Sequence, residues 1–200
     1  MTDVFDPLDY RVIVDSVLNA LLRTPQGPMP PRERFDGAGV YAIYYRGKFP
    51  GYRPISGTEV PIYVGKAIPA GARQGGSDAM EQIEPEAGTV LYRRLREHGD
   101  SIGTTETLDI ADFRCRFLVV TPIWISTAES LLIRRFLPLW NVCVDGFGNH
   151  HQGKGRVGQK RSDWDTLHPG RGWAQAMKQS KHTTDEINAR IAAHFRAAAS

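Results

Sequence analysis

The chain has 200 residues, 41% of them hydrophobic, and a formal net charge of +3 at neutral pH. That length buries one proper core and is short for two, and no apolar run approaches the roughly 20 residues that a membrane-spanning helix needs. An isoelectric point near 8.9 suits a protein that binds polyanions but does not require one.

In chain order, Arg11 to Arg23 places Val12, Val14, Val17, Leu18, Leu21 and Leu22 at the spacing of an amphipathic helix, and Thr-Pro-Gln-Gly-Pro from Thr24 ends it. Gly37 to Arg46 and Val60 to Lys66 are rich in β-formers and read as a hairpin closed by the Gly/Pro loop Gly47 to Glu59. A helix is predicted from about Thr89 to Gly99. A third strand follows, with Phe113, Cys115, Phe117 and Val119 alternating against Arg114, Arg116 and Leu118 up to Thr121-Pro122. A second core helix is predicted from about Thr127 to Leu137. Asp145 to Arg161 is Gly-rich and basic, as in a binding loop. A last helix from about Thr184 to Ala199 puts Ile187, Ile191 and Phe195 on one face, with Thr183 or Thr184 as its cap. The predicted fold is α+β: a small three-stranded antiparallel sheet in the order β-β-α-β-α, flanked by helices.

Several polar side chains sit where their helix or strand should be buried. Glu129, Leu132, Ile133 and Phe136 fall at i, i+3, i+4 and i+7, so this carboxylate shares an apolar face and needs a partner. Two readings stay open for it, because Ser126-Thr127-Ala128-Glu129 also fits a capping box in which the glutamate only closes the helix start. Arg94 and His98 stand four apart beside Leu91, Leu95 and Ile102, whereas Arg93 and Arg96 face elsewhere. A guanidinium there could clamp a phosphate with two parallel hydrogen bonds, and His98 could equally be a favourable charge at a helix C-terminus. Tyr41 and Tyr63 lie on the two predicted hairpin strands; Lys66 follows closely and could favour a phenolate. Cys115 and Cys143 lack the spacing of zinc ligands. The opening Met-Thr-Asp-Val-Phe-Asp has neither the basic segment nor the apolar run of a secretory leader, so a reduced cytoplasm is the expected setting.

Gly39-Val40-Tyr41 followed by Tyr63-Val64-Gly65 resembles the paired motif of the GIY-YIG nuclease superfamily. Neither tripeptide is rare. The ordered set is what makes the match specific: two strands, a helix with Arg94, a further strand, a helix with Glu129, then Pro138-Leu139-Trp140-Asn141. The resemblance covers roughly Ala38 to Val142. Given its length, the chain is expected to be a single unit over 1–200, with an N-terminal helical extension at 1–36, the catalytic core of the resemblance at 37–142, and a basic DNA-binding loop and C-terminal helix at 143–200.

The resemblance also implies roles. Tyr41 lies at the attacking water, Tyr63 and Arg94 at the phosphate, Glu129 on the metal, and Asn141 in support. His98 and Lys66, together with a link between the motifs longer than the family's usual one, resemble dimeric Type II restriction endonucleases of this fold that recognise a GC-rich palindrome. The expected cofactor is Mg²⁺ or Mn²⁺, since one carboxylate suits a hard ion that keeps its waters and uses substrate oxygens. No organic cofactor is expected. Double-stranded DNA is the expected partner, read or held by Arg73, Gln74, His151, Gln152, Lys154, Arg156, Lys160 and Arg161. A homodimer would cut both strands of a palindrome, with residues 6–23 as an expected contact. The alternatives are a repair or recombination nuclease that nicks structured DNA, and a DNA-binding module without catalysis.

Overall fold

The structure is a computed structural model that describes residues 10–69, 88–149 and 158–198. A first helix, α1 (Tyr10–Arg23), leads to a two-residue strand, β1 (Gly27–Pro28), then β2 (Gly39–Tyr45), a 3-10 turn over Pro50–Ile55, and β3 (Tyr63–Ala67). Helix α2 (Val90–Gly103), strand β4 (Phe113–Val119), helix α3 (Pro122–Phe136) and the single turn α4 (Leu139–Val142) follow. Three more helices complete the described chain: α5 (Asp163–Leu167), α6 (Gly172–Gln175) and α7 (Thr184–Ala198).

The sheet has four antiparallel strands in the order β1-β4-β2-β3, which corrects the expected three. The added strand is Gly27-Pro28, paired with Cys115 and Arg114. Two residues carry no alternation, and proline is ordinarily a strand breaker, so only the partner strand reveals this edge.

Every residue of β2 is buried, because layers cover both sheet faces. Tyr41, Ile43 and Tyr45 pack in one cluster with Leu91, Leu95 and Ile102 of α2. Trp140, Phe147, Trp164, Leu167, Ile187 and Ile191 join the same cluster, so residues beyond 142 build the core as much as those before it. Val40, Ala42 and Tyr44 face the other way, toward Leu21 of α1 and Ile125, Ala128 and Leu132 of α3. No helix among the described residues is long and apolar enough to cross a membrane.

Strand β3 is an edge, and α4 covers it. Trp140 N donates to the Ile62 carbonyl at 2.9 Å, while the Asn141 amide accepts from Val64 N and donates to Val64 O, both at 2.8 Å. One side chain thereby completes the backbone pairing that an edge strand lacks.

Candidate active site

Tyr41 points from the centre of β2 into the α2 face, directly across from Gly65 on β3. A Cβ at Gly65 would overlap the Tyr41 hydroxyl and lie 2.6 Å from its Cζ, so the glycine of the second motif makes room for the tyrosine of the first. Gly39 serves a different purpose. A Cβ there would run into the Leu118 carbonyl of β4, so this glycine permits the close approach of two backbones. Tyr63 lies two residues before Gly65 on the same face, its ring centre 6.2 Å from that of Tyr41.

Helix α2 brings Arg94 and His98 to these rings from consecutive turns. The Tyr41 hydroxyl lies 2.6 Å from His98 Nε2, and His98 is only 2% exposed. The helix runs on to Gly103, so His98 is interior and not a charge at a C-terminus. The Phe147 ring stacks on His98 with centroids 4.5 Å apart and planes 19° apart, and meets Tyr63 edge-on at 4.9 Å. Arg94 Nη2 donates to the Gly148 carbonyl at 3.0 Å, and Nη1 reaches Glu97 at 3.2 Å.

Burial holds the Tyr41 phenol well above its ordinary range, the nearby Tyr63 adds to the effect, and the Arg94 guanidinium works against it. Tyr63 is raised chiefly by burial as well, again with Arg94 opposing. Both phenols are therefore neutral at physiological pH. Lys66 does not relieve this: alternation along β3 turns it to the other face, where Nζ lies 2.8 Å from Glu129 Oε2 and donates to Ser126 Oγ at 3.2 Å.

Glu129 stands in the third turn of α3, whose N-cap is Thr121 with Pro122 at the first helical position. The capping-box reading is thereby overturned, since Ser126 and Glu129 are helix interior. Proline is at home at that position because its missing N–H would be unpaired there anyway. The Glu129 side chain is 19% exposed, and its negative charge is close enough to oppose ionisation of both tyrosines. The carboxylate thus pairs with Lys66 on the α3 face of the sheet and acts on the tyrosines of the other face through its charge. Among the described residues no group of three or more His, Cys, Asp or Glu forms a metal cage. A single partly exposed carboxylate, as at Glu129, suits a hard divalent ion that keeps waters and takes substrate oxygens as ligands.

Two tyrosines, an arginine and a histidine thus converge, with a carboxylate within electrostatic reach. The family model of the Eco29kI GIY-YIG domain matches residues 33–195. The chain belongs to this GIY-YIG family. No curated protein sequence matches it. A GIY-YIG domain is a nuclease domain, so the chain is an enzyme of that class and its substrate is nucleic acid.

The GIY-YIG match reaches beyond Val142, where the sequence resemblance stopped, and takes in Phe147 and Gly148, which sequence reading missed as site neighbours. Their only signal was the Gly-Phe-Gly run inside a segment read as a basic loop. Of the DNA-contact candidates, Arg73, Gln74, His151, Gln152, Lys154 and Arg156 lie outside the described residues. Lys160 is exposed and bridges to Lys178. Arg161 Nε and Nη2 donate to the carbonyls of Ala174 and Gln175 at 3.1 and 3.0 Å, which ties this guanidinium to the fold.

Proposed function

We propose that this GIY-YIG enzyme is a cytoplasmic Type II restriction endonuclease that hydrolyses double-stranded DNA at a GC-rich palindrome, acting as a homodimer with Mg²⁺ or Mn²⁺. The observation that carries the chemistry is the 2.6 Å approach of the Tyr41 hydroxyl to His98 Nε2, beside Arg94.

A phenol held neutral cannot wait as a phenolate, so the two groups act together. The attacking water gives its proton to the Tyr41 oxygen as the phenol passes its own to His98 Nε2. The water oxygen bonds to phosphorus, and the bridging P–O bond opposite it breaks. Arg94 exchanges the Gly148 carbonyl for the scissile phosphate and, with the Tyr63 hydroxyl, holds it in line. Glu129 would hold the divalent ion, which supplies Lewis-acid stabilisation of the leaving oxygen. Lys66 keeps this carboxylate oriented when the ion is away. Asn141 fixes β3 and, through it, Tyr63. Of the DNA-contact candidates at 73–74 and 151–161, Lys160 is the exposed one among the described residues, and it reads or holds DNA with the candidates beside it in sequence; Arg161 contributes by tying its own position to the carbonyls of Ala174 and Gln175.

Plasmid and long linear DNA incubated with the protein, with Mg²⁺ and with chelator, test this reading. Discrete fragments with fixed ends, formed only with metal, are expected, and sequencing those ends gives the site. A nicked ladder without fixed ends would replace restriction with a repair-type activity. Intact DNA with retained binding would remove the enzymatic claim.

A further inference from the structure

Phe147 and Gly148 contact three of the proposed catalytic groups, which raises the question of what holds them there. Residues 146–149 form a short irregular segment, and such a segment keeps its place only if its carbonyls are fixed. Arg171 fixes them. Its Nη2 donates to the Gly146 carbonyl at 2.9 Å, and its Nη1 donates to those of Phe147 and Asn149, each at 3.1 Å. Its Nε donates to Asp165 Oδ1 at 2.6 Å, and both side chains of this ion pair are under 5% exposed. The guanidinium also lies against the rings of Trp164 at 4.5 Å and Trp173 at 4.8 Å.

The pattern of carbonyls is telling. Those of residues 146, 147 and 149 turn to Arg171, and the one between them, Gly148, turns the opposite way to Arg94. One strip of backbone therefore lies between two guanidiniums, one buried in the C-terminal helices and one in the site. Both glycines are needed for it. Gly146 has φ +102° and no room beside Ser162, and a Cβ at Gly148 would lie 2.7 Å from the Tyr63 hydroxyl.

We propose that Arg171 is a positioning residue for the nuclease reaction: by anchoring 146–149 it stacks Phe147 on His98, seats Gly148 against Tyr63 and sets the resting place of Arg94. Lysine cannot substitute, because a point ammonium has no planar fork to bridge a carboxylate and three carbonyls at once. The proposal rests on the nuclease reading for its kinetic consequence but not for its structural one.

Two measurements on the full chain test it. Histidine ring NMR reports the stack, since the Phe147 ring current shifts the His98 ring protons upfield. In Arg171→Lys that resonance is expected to move toward its unstacked position while that of His194 on α7 stays. The single-turnover rate per folded molecule at saturating protein should fall, on the order of 10²-fold for a displacement of about 1 Å, with DNA affinity unchanged. A purely structural role would lower the folded fraction and leave both the resonance and the rate of the folded molecules unmoved; that result overturns the proposal. Should Arg171→Lys fail to fold, Gly148→Ala decides, since it moves the segment off Tyr63 with the anchor intact. A comparable loss of rate supports control by the segment's position, and normal cutting overturns it. If the wild-type chain itself cuts no DNA, the nuclease reading fails, and the NMR comparison alone still decides whether Arg171 holds the stack.

Discussion

Adding a methyl group to each glycine of the paired motif should have opposite consequences. At Gly39 it meets the backbone carbonyl of Leu118, which cannot turn aside without parting β2 from β4. Gly39→Ala should therefore cost stability, about 1–3 kcal/mol as for other overpacked core positions, read as a lower midpoint in urea. At Gly65 the methyl meets the hydroxyl end of the Tyr41 side chain and not backbone, so it is the ring that must shift. Gly65→Ala should unfold at a urea concentration closer to wild type but cut far more slowly, because the shift breaks the contact with His98. Equal losses of stability in the two variants would refute this division. The sequence already held the glycines, tyrosines, Arg94, His98 and Glu129 in order, since their spacing follows strand and helix periods. The Ser126 box misled: α3 begins at Pro122, a residue read in the sequence only as the end of the preceding strand.

Between elements, most of what positions the site is backbone pairing that no local pattern announces. Asn141 shows this best. The resemblance implied only a supporting role for it, and nothing near it in sequence names the partner: its amide completes the hydrogen bonding of Val64, 77 residues earlier. Asn141→Asp replaces the donor facing the Val64 carbonyl with a carboxylate oxygen. Leaving that half-buried pairing broken should cost about 1 kcal/mol, measured by urea unfolding at pH 7; an unchanged midpoint would show that α4 does not secure β3. Separation in sequence also hid strand β1, whose partner is β4, and the link from Arg171 to the Phe147 carbonyl. Periodicity gave α7 and the bodies of α2 and α3, because each buries one stripe against the sheet or its neighbours, but it ended α2 at Gly99 instead of Gly103 and began α3 at Thr127 instead of Pro122.

For the molecule as a whole, a polar junction inside the aromatic core sets the response to acid. His168 is fully buried, with Nδ1 2.6 Å from Thr107 Oγ1 and Nε2 against the Tyr52 hydroxyl, which also accepts from Trp140 Nε1. Burial pushes its pKa down from 6.5 to about 3. The unfolded chain thus takes up a proton below about pH 6.5 that the folded chain refuses until near pH 3, and stability is lost as the pH falls through that window. From this residue alone the loss at pH 5 is about 2 kcal/mol relative to pH 7. His168→Gln should flatten the pH dependence of urea unfolding between pH 7 and 5 by about that amount, and an unchanged slope would mean that His168 is protonated in the fold.

The central claim is that Tyr41 and His98 move the proton of the attacking water as a pair. Single-turnover cleavage by Tyr41→Phe, with DNA binding measured on the same protein, tests it most directly. The expected result is a rate lower by about 10²–10⁴-fold, the usual contribution of a positioned acid–base group, with affinity and folding retained. Cleavage at the wild-type rate would contradict it.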